Sequence, residues 1–212
     1  MYSVKETFYT LQGEGAQAGR PSVFCRFTGC NLWSGREQDR AASICTFCDT
    51  DFIGTDGQNG GKFKTARDLA DHIAAFWPSP EGTPYVVFTG GEPLLQLDAP
   101  LIEAMHAKGF EIAVETNGTI KAPNGIDWLC VSPKGRAELV QETGHELKLV
   151  YPQPEALPER FEHTHFEHYY LQPMDLSPQG EARSTLKAAL DYCMRRPRWK
   201  LSLQTHKMIG ID

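Results

Sequence analysis

The stretch YVVFTGGEPLLQLDAPLIEAMHAKGFEIAVETNG, residues 85–118, decides how the chain folds. Its first six residues, 85–90, are apolar and rich in β-branched and aromatic side chains, which predicts a buried strand. Residues 99–109 predict a helix that ends at Gly109, since glycine commonly stops helices. Residues 110–116 predict a second strand. A strand, a helix and a strand in this order form a right-handed βαβ unit of a parallel sheet.

The same alternation continues on both sides of this unit. Helices are predicted at 65–77, with Thr65 as N-cap, and at 180–196, closed by Pro197. The polar, glycine-rich residues 54–62 are typical of a loop. The other predicted strands are 4–11, 22–29, 128–132, 146–151, 168–174 and 199–204. We therefore predict an α/β fold with a mostly parallel sheet, an abbreviated TIM-like βα barrel with fewer than eight units.

Composition excludes several classes of protein. The chain has 212 residues, 41% of them hydrophobic and 23% charged, as in an ordinary globular protein. With no internal repeat and no low-complexity linker, residues 1–212 are expected to form a single domain. The formal charge of −6 argues against nucleic acid as a partner. The N-terminus does not resemble a signal peptide and no apolar run reaches the ~18 residues of a membrane span, so we expect a cytoplasmic protein with reduced thiols.

Small and polar residues follow four of the predicted strands. The motifs are TGGEP at 89–93, ETNG at 115–118, SPK at 132–134 and QPMD at 172–175. Ligands of α/β barrels and sheets bind at the carboxyl ends of strands, which predicts one shared pocket. Ordinary turn chemistry favours the same residue types and is the alternative.

Three cysteines follow an early strand. Cys30, Cys45 and Cys48 have the spacing C-x14-C-x2-C within a modified loop at about 30–62. Three thiolates suit a [4Fe-4S] cluster that leaves one iron open. A zinc module, which would need a fourth ligand that the loop lacks, and three unrelated cysteines are the alternatives. Hard oxygen atoms follow directly in Asp49, Thr50 and Asp51, which suggests a second, different ion.

These motifs together resemble a known superfamily. Phe47 before the last thiol, GGEP, ETNG and SPK resemble the radical S-adenosylmethionine enzymes. The long insertion between the first two cysteines, with TLQGEG at 10–15, resembles the 7-carboxy-7-deazaguanine synthase family, from LQGEG to the terminal LQTHKMIG. The resemblance implies a lyase that contracts the ring of 6-carboxy-5,6,7,8-tetrahydropterin through a 5′-deoxyadenosyl radical, releasing ammonia, in queuosine and 7-deazapurine biosynthesis. A homodimer and an electron donor such as flavodoxin are implied as well.

The resemblance also assigns roles to residues. Cys30, Cys45 and Cys48 would hold the cluster, and Thr50 would bind Mg²⁺, with Asp51 orienting that shell. The residues expected to bind S-adenosylmethionine are Phe47, Cys48, Asp49, Gly91, Glu92, Asn117, Ser132, Pro133, Lys134, Gln172, Pro173, Met174 and Asp175. Those expected to bind the pterin are Leu11, Gln12, Gly13, Glu14, Arg26, Thr89, His206 and Asp212.

Chemistry supports two of the pterin assignments. The Glu14 carboxylate is an acceptor for the donor-rich aminopyrimidine edge, and the Arg26 guanidinium is a fork-shaped donor for the substrate carboxylate. The alternative for Arg26 is a structural salt bridge. Another radical enzyme, such as a glycyl-radical activase, remains the alternative for the whole protein, and it would act on a protein partner.

Overall fold

The structure, a computed structural model, describes residues 1–176, 180 and 182–211. The described residues form nine strands and four α-helices. In chain order the elements are β1 Tyr2–Leu11, β2 Pro21–Phe27, β3 Gly61–Phe63, α1 Ala66–Ala74, β4 Tyr85–Gly90, α2 Ala99–His106, β5 Glu111–Thr116, β6 Trp128–Val131, β7 Thr143–Tyr151, β8 His165–Pro173, α3 Ala182–Arg195, β9 Trp199–Leu201 and α4 Thr205–Ile209. Among the described residues, strands β5 to β8 follow one another with no α-helix between them.

All nine strands belong to one mostly parallel sheet. Their order is β3-β1-β2-β4-β5-β6-β7-β8-β9, and from β2 to β9 every neighbouring pair is parallel. Strand β1 pairs antiparallel with both β2 and β3. Within the described chain β3 and β9 do not pair with each other, so the sheet stays open. This confirms the predicted partial barrel.

Strand alternation separates a helix-covered face from a concave face. In β4, Val86 and Phe88 are fully buried against the helices, in a core that includes Leu101 and Met105 of α2. Burying each such side chain contributes roughly 1.5–3 kcal/mol. On the concave face of the same strand, Thr89 lines a cavity. The main hydrophobic core therefore lies on one side of the sheet, and the other side carries the cavity and a small buried cluster of Tyr85, Val87 and Ala113.

Local signals explain where the helices begin. Thr65 caps α1 in a capping box, because its hydroxyl accepts from the Asp68 backbone N–H while the Asp68 carboxylate accepts from the Thr65 N–H. Asp98 caps α2, which carries a proline in its first turn. Within the described residues, no helix has the length and apolar character that crossing a membrane would require.

The prediction was wrong at several element boundaries. Strand β3 lies at the end of the loop predicted over 54–62, and α4 was not predicted. Strands β7 and β8 begin three residues earlier than predicted, and β9 ends three residues earlier. Helix α3 covers most of the predicted 180–196. Because β3 exists only through its pairing with β1, no periodicity of its own could have predicted it.

Candidate active site

A cavity of about 500 Å³ opens on the concave face of the sheet, at the carboxyl ends of its parallel strands. Residues from β1, β2, β4, β5, β7 and β8 line it, together with the cysteine loop and residues 204–207. All four predicted strand-end motifs contribute to its wall. The expected shared pocket is therefore present.

Most of the residues predicted for ligand binding line this single cavity. They are Leu11, Gln12, Gly13, Glu14, Arg26, Cys30, Cys45, Phe47, Cys48, Asp49, Thr50, Thr89, Gly91, Asn117, Ser132, Lys134, Gln172, Pro173, Met174, Asp175 and His206. Glu92 and Pro133 are buried behind the wall. Asp212 lies outside the described residues.

The three predicted cluster thiols share one part of the wall. Cys45 is buried, whereas Cys30 and Cys48 are half-buried. The Cys45 thiol donates to Cys48, and this hydrogen bond, which burial opposes, lowers the pKa of Cys48 to about 6. The same bond, with burial, raises the pKa of Cys45. The wall thus offers one thiol that ionises readily and two more within the same cavity.

The three thiols leave two kinds of metal centre to distinguish. Among the residues described, no group of three or more His, Cys, Asp and Glu side chains is arranged to hold a metal ion. A zinc ion takes four ligands around one point, whereas each thiolate of a cubane binds a different iron atom. Iron and zinc analysis of the purified protein distinguishes the two.

The insertion between Cys30 and Cys45 has its own packing. The Trp33 and Phe52 rings meet edge to face, with centroids 5.6 Å apart. The Arg40 guanidinium lies 4.1 Å from the centroid of Trp33, and its Nη1 donates to the carbonyl of Cys48 at 2.9 Å. Arg40 therefore ties the inserted segment to the last thiol, a contact that the sequence did not reveal.

Glycine in the GGEP turn lets two strand ends approach closely. A Cβ on Gly91 would lie 2.2 Å from the Gly29 carbonyl oxygen and 2.7 Å from Cys30 Cβ. The next amide, that of Glu92, donates to the same Gly29 carbonyl at 2.9 Å. Only a residue without a side chain permits this contact, which places the turn against the first predicted ligand.

Glu92 supports the site from behind the wall. Its Oε1 accepts from the Leu94 N–H at 2.9 Å and from the Thr116 hydroxyl at 2.7 Å. Its Oε2 accepts from the Asn117 N–H at 2.8 Å. Burial raises the pKa of Glu92, although these hydrogen bonds oppose the shift. Glu92 thus fixes the strand end that carries Asn117.

Two more strand ends present polar side chains. The Asn117 amide donates to Asn31 at 2.9 Å, which joins the ETNG motif to the cysteine loop. Lys134 donates to the carbonyl oxygen of Ser132 at 2.9 Å. Pro133, between them, is buried, and its carbonyl accepts from Gln153 at 3.4 Å. Pro133 therefore holds its two neighbours on the wall.

Two lysines form ion pairs with the carboxylates near the last thiol, Cys48. Lys207 Nζ lies 3.0 Å from Asp49 and 2.7 Å from Asp175. Lys5 Nζ lies 2.8 Å from Asp51. Asp51 and its partner Lys5 line the same cavity as Thr50.

A second group of wall residues carries paired charges. Glu14 Oε2 accepts from Lys148 at 2.5 Å, and Glu14 Oε1 accepts from Gln172 at 3.1 Å and from Gln204 at 3.0 Å. Burial alone would raise the pKa of Glu14, but Lys148 and these partners lower it to about 2. Glu14 is therefore an ionised acceptor at neutral pH.

Arg26 and His206 complete this group. Arg26 Nε donates to Glu6 at 2.7 Å and leaves the rest of the guanidinium at the wall. The hydroxyl and N–H of Thr205 both donate to the Gly13 carbonyl at 2.9 Å. This contact packs His206 against Gly13, where an added Cβ would meet the imidazole at 2.0 Å.

Sequence reasoning missed several polar wall residues. They are Lys5, Glu6, Glu115, Lys148, Gln204 and Lys207. One signal was present in β7, where Glu146 and Lys148 alternate with the apolar Leu147 and Leu149. Such a period of two places the polar pair on the concave face.

Comparison with known proteins identifies the family. The radical SAM superfamily matches residues 38–205. The chain is 66% identical over 210 residues to the 7-carboxy-7-deazaguanine synthase of Bordetella pertussis, with 99% of both chains covered. The chain belongs to the 7-carboxy-7-deazaguanine synthase family.

Further comparisons support the assignment to the 7-carboxy-7-deazaguanine synthase family. The enzyme of Caulobacter vibrioides is 63% identical over 210 residues, with 99% of both chains covered. A crystal structure of QueE from Escherichia coli matches with a TM-score of 0.71 at 26% identity, covering 96% of this chain and 93% of that one. Membership in the radical SAM superfamily implies a [4Fe-4S] cluster and S-adenosylmethionine as cofactors.

Proposed function

We propose that the protein is a 7-carboxy-7-deazaguanine synthase, which converts 6-carboxy-5,6,7,8-tetrahydropterin into 7-carboxy-7-deazaguanine with release of ammonia. One observation carries the proposal. One cavity is lined both by Cys30, Cys45 and Cys48 and by Glu14 and Arg26. Full-length relatives that bear this enzyme name support it.

The thiols and their neighbours would hold the cofactors. Cys30, Cys45 and Cys48 would ligate the cluster, and Phe47 and Asp49 would flank S-adenosylmethionine. When bound, the cluster and S-adenosylmethionine supply a carbon radical that can abstract hydrogen. The other proposed contacts to S-adenosylmethionine are Gly91, Asn117, Ser132, Lys134, Gln172, Pro173, Met174 and Asp175. Glu92 and Pro133 would act by positioning the backbone around these residues.

The second group of wall residues would bind the pterin. Glu14 would accept hydrogen bonds from the aminopyrimidine edge, and Arg26 would pair with the substrate carboxylate. Gln12, Gly13, Leu11, Thr89 and His206 would pack around the ring. Binding of both ligands in this cavity would displace water from the reacting centre.

Three further features are part of the proposal. Thr50 would supply one hydroxyl ligand to Mg²⁺, which fills its other positions with water or substrate oxygens. An electron donor such as flavodoxin would reduce the cluster. The homodimer implied by the family resemblance stays a prediction that analytical ultracentrifugation tests.

The test is reconstitution with iron and sulfide under anaerobic conditions. The protein is then assayed with S-adenosylmethionine, a reductant and the carboxypterin, with and without Mg²⁺. We expect 7-carboxy-7-deazaguanine and ammonia in equal amounts, detected by mass spectrometry and an ammonia assay. Cys48→Ser is expected to lose iron and more than 99% of activity, whereas Cys193→Ser, on α3 outside the cavity, keeps both.

Three outcomes would contradict the proposal. A fully loaded enzyme that cleaves S-adenosylmethionine but forms no deazaguanine from the carboxypterin would belong to another radical enzyme class. Activity only on a protein partner would identify a glycyl-radical activase. A colourless protein that contains zinc and no iron would identify a zinc module.

A further inference from the structure

Lys148 is a buried lysine in the middle of β7. Its role in substrate binding, argued below, rests on the proposed function. Its side chain is only 4% exposed, yet it contributes to the cavity wall. Taking an ammonium out of water costs several kcal/mol unless partners compensate. Replacing a buried ion pair by apolar groups is often neutral or stabilising, so stability alone does not account for a lysine at this position.

Two carboxylates surround the Lys148 ammonium. Its Nζ lies 2.5 Å from Glu14 Oε2 and 3.3 Å from Glu115 Oε2. The Glu115 side chain is 23% exposed and also lines the cavity. Lys148 therefore bridges two acidic side chains that come from different parts of the fold, the loop after β1 and the end of β5.

Neutral amides hold the other oxygen atoms of both carboxylates. Gln172 and Gln204 donate to Glu14 Oε1. Gln12 donates to Glu115 Oε1 at 2.9 Å. An ionised carboxylate has about four acceptor positions, so Glu14 keeps one of them after these bonds. The remaining acceptors are the part of this cluster that a ligand can use.

The charge balance depends on the single lysine. The other titratable groups that interact with the cluster are Glu146, Cys130, Tyr85 and His206. Burial raises the pKa values of Glu146 and Cys130. Burial alone would lower the pKa of Lys148, but Glu115 and Glu14 raise it well above its ordinary value. Without Lys148, two carboxylates would face each other with no neighbouring ammonium.

We infer that Lys148 is a positioning residue, which holds the Glu14 and Glu115 carboxylates in place as acceptors for the donor-rich pyrimidine edge of the substrate. It acts on the substrate only through the two carboxylates. A neutral carboxylic acid would turn one acceptor into a donor and would repel an N–H group of the ligand. The charge of Lys148 thus determines which hydrogen-bonding pattern the cavity accepts.

The test compares Lys148→Met with Lys148→Arg in the reconstituted enzyme. In Lys148→Met one carboxylate should take up a proton, because like charges at close range disfavour double ionisation. We expect the KM for the carboxypterin to rise at least tenfold. We also expect kcat/KM to fall on the acidic side at a higher pH than in the wild type. Lys148→Arg keeps the charge and should retain the wild-type pH profile.

Controls separate this inference from the proposed function. Lys187→Met removes an exposed ion pair with Asp191 on α3 and should leave KM and the pH profile unchanged. Iron content and the cleavage of S-adenosylmethionine without pterin should stay within twofold of wild type in Lys148→Met. If the wild type makes no deazaguanine, the proposed function fails. If the wild type is active but Lys148→Met keeps its KM and pH profile, this inference fails.

A charge-balanced variant covers the case in which Lys148→Met does not fold. Lys148→Met/Glu115→Gln removes one charge of each sign and leaves Glu14 without its ammonium. We expect it to fold and to show the higher acidic pKa in kcat/KM. A profile identical to that of the wild type in this double variant would overturn the inference.

Discussion

Arg26 brings a guanidinium to the cavity wall and shares it with a neighbouring carboxylate. Its Nε is bonded to Glu6, and the two side chains are 20% and 26% exposed. The guanidinium is the fork-shaped donor that a substrate carboxylate requires. The hydrogen bond from Arg26 Nε to Glu6 does not use the N–H groups on the two Nη atoms of the guanidinium.

The first prediction concerns this guanidinium. Arg26→Gln should raise the KM for the carboxypterin about 30-fold, since a charge-assisted hydrogen bond contributes roughly 2 kcal/mol. Steady-state kinetics at saturating S-adenosylmethionine measure it. Arg20→Gln is the matched control, because Arg20 pairs with Glu111 outside the cavity wall. An equal loss of affinity for a tetrahydropterin that lacks the carboxylate would refute the pairing.

The sequence predicted some residues of the cavity and missed others. The three cysteines and the strand-end motifs could be found because each is a local pattern that the fold repeats at one rim. Lys148 was missed because its burial depends on which face of β7 is concave. Glu92 was placed in direct contact with the cofactor, but its carboxylate is used by three groups of the protein. Two of these groups, on Thr116 and Asn117, are 24 and 25 residues from Glu92 along the sequence. No local sequence pattern predicts contacts at that separation.

At the level of elements, the GGEP turn joins β4 to the end of β2. Gly91 lies so close to Gly29 and Cys30 that a methyl group would need backbone movement. The turn therefore couples the predicted S-adenosylmethionine site to the first predicted cluster ligand. The geometry depends on the missing side chain rather than on any interaction that Gly91 makes.

The second prediction tests this contact between elements. Gly91→Ala should displace the Cys30 segment and lower the iron content after reconstitution by at least half, with a parallel loss of activity. Iron analysis and the visible absorbance of the cluster measure it. Gly61→Ala in β3 is the control, since its added Cβ would meet only ring atoms of Phe63 at 3.7 Å. Full iron content in Gly91→Ala would show that the strand ends can separate without cost.

Elements with strong local signals were predicted well, and two of the shortest, β3 and α4, were missed. Helix α1 and strand β4 have strong internal signals, a capping box and an unbroken apolar run. Strand β3 has three residues and α4 has five. Both depend on tertiary partners, β3 on β1 and the α4 segment on the Gly13 carbonyl. Elements this short carry too little periodicity to be recognised in isolation.

For the whole molecule, the charged cluster in the cavity links folding to pH. Burial opposes the ionisation of Glu14, but Lys148 and the hydrogen bond from Gln204 lower its pKa to about 2 from an ordinary 4.5. The folded state therefore binds a proton less readily than the unfolded state. The ionised group stabilises the fold above pH 4.5, and this contribution is lost as the pH falls towards 2.

The third prediction follows from the lowered pKa of Glu14 in the folded state. The contribution is on the order of 3 kcal/mol at neutral pH, since each pKa unit corresponds to about 1.4 kcal/mol. Urea unfolding at successive pH values from 6 to 3 should show a steeper loss of stability in the wild type than in Glu14→Gln. Glu103→Gln, on the exposed face of α2, should follow the wild type. Parallel curves for the wild type and Glu14→Gln would exclude the linkage.

The overall architecture was the most predictable property. Alternating strands and helices fix a mostly parallel sheet, and too few βα units leave it open. The antiparallel edge formed by β1 and β3 could not be predicted, because strand pairing across more than 50 residues leaves no local trace. The cavity lies inside this open sheet and draws residues from both ends of the chain.

Because residues 202–207 contact the loop after β1, the cavity wall is completed only late in synthesis of the chain. Ser202 and Thr205 bind the backbone of Gly15 and Gly13, and among the cavity residues Gln204, His206 and Lys207 are translated last. A nascent chain on the ribosome thus carries all three thiols long before its substrate pocket has a complete wall. A premature stop codon just before this segment would leave the three thiols in place but remove Gln204, His206 and Lys207 from the cavity wall.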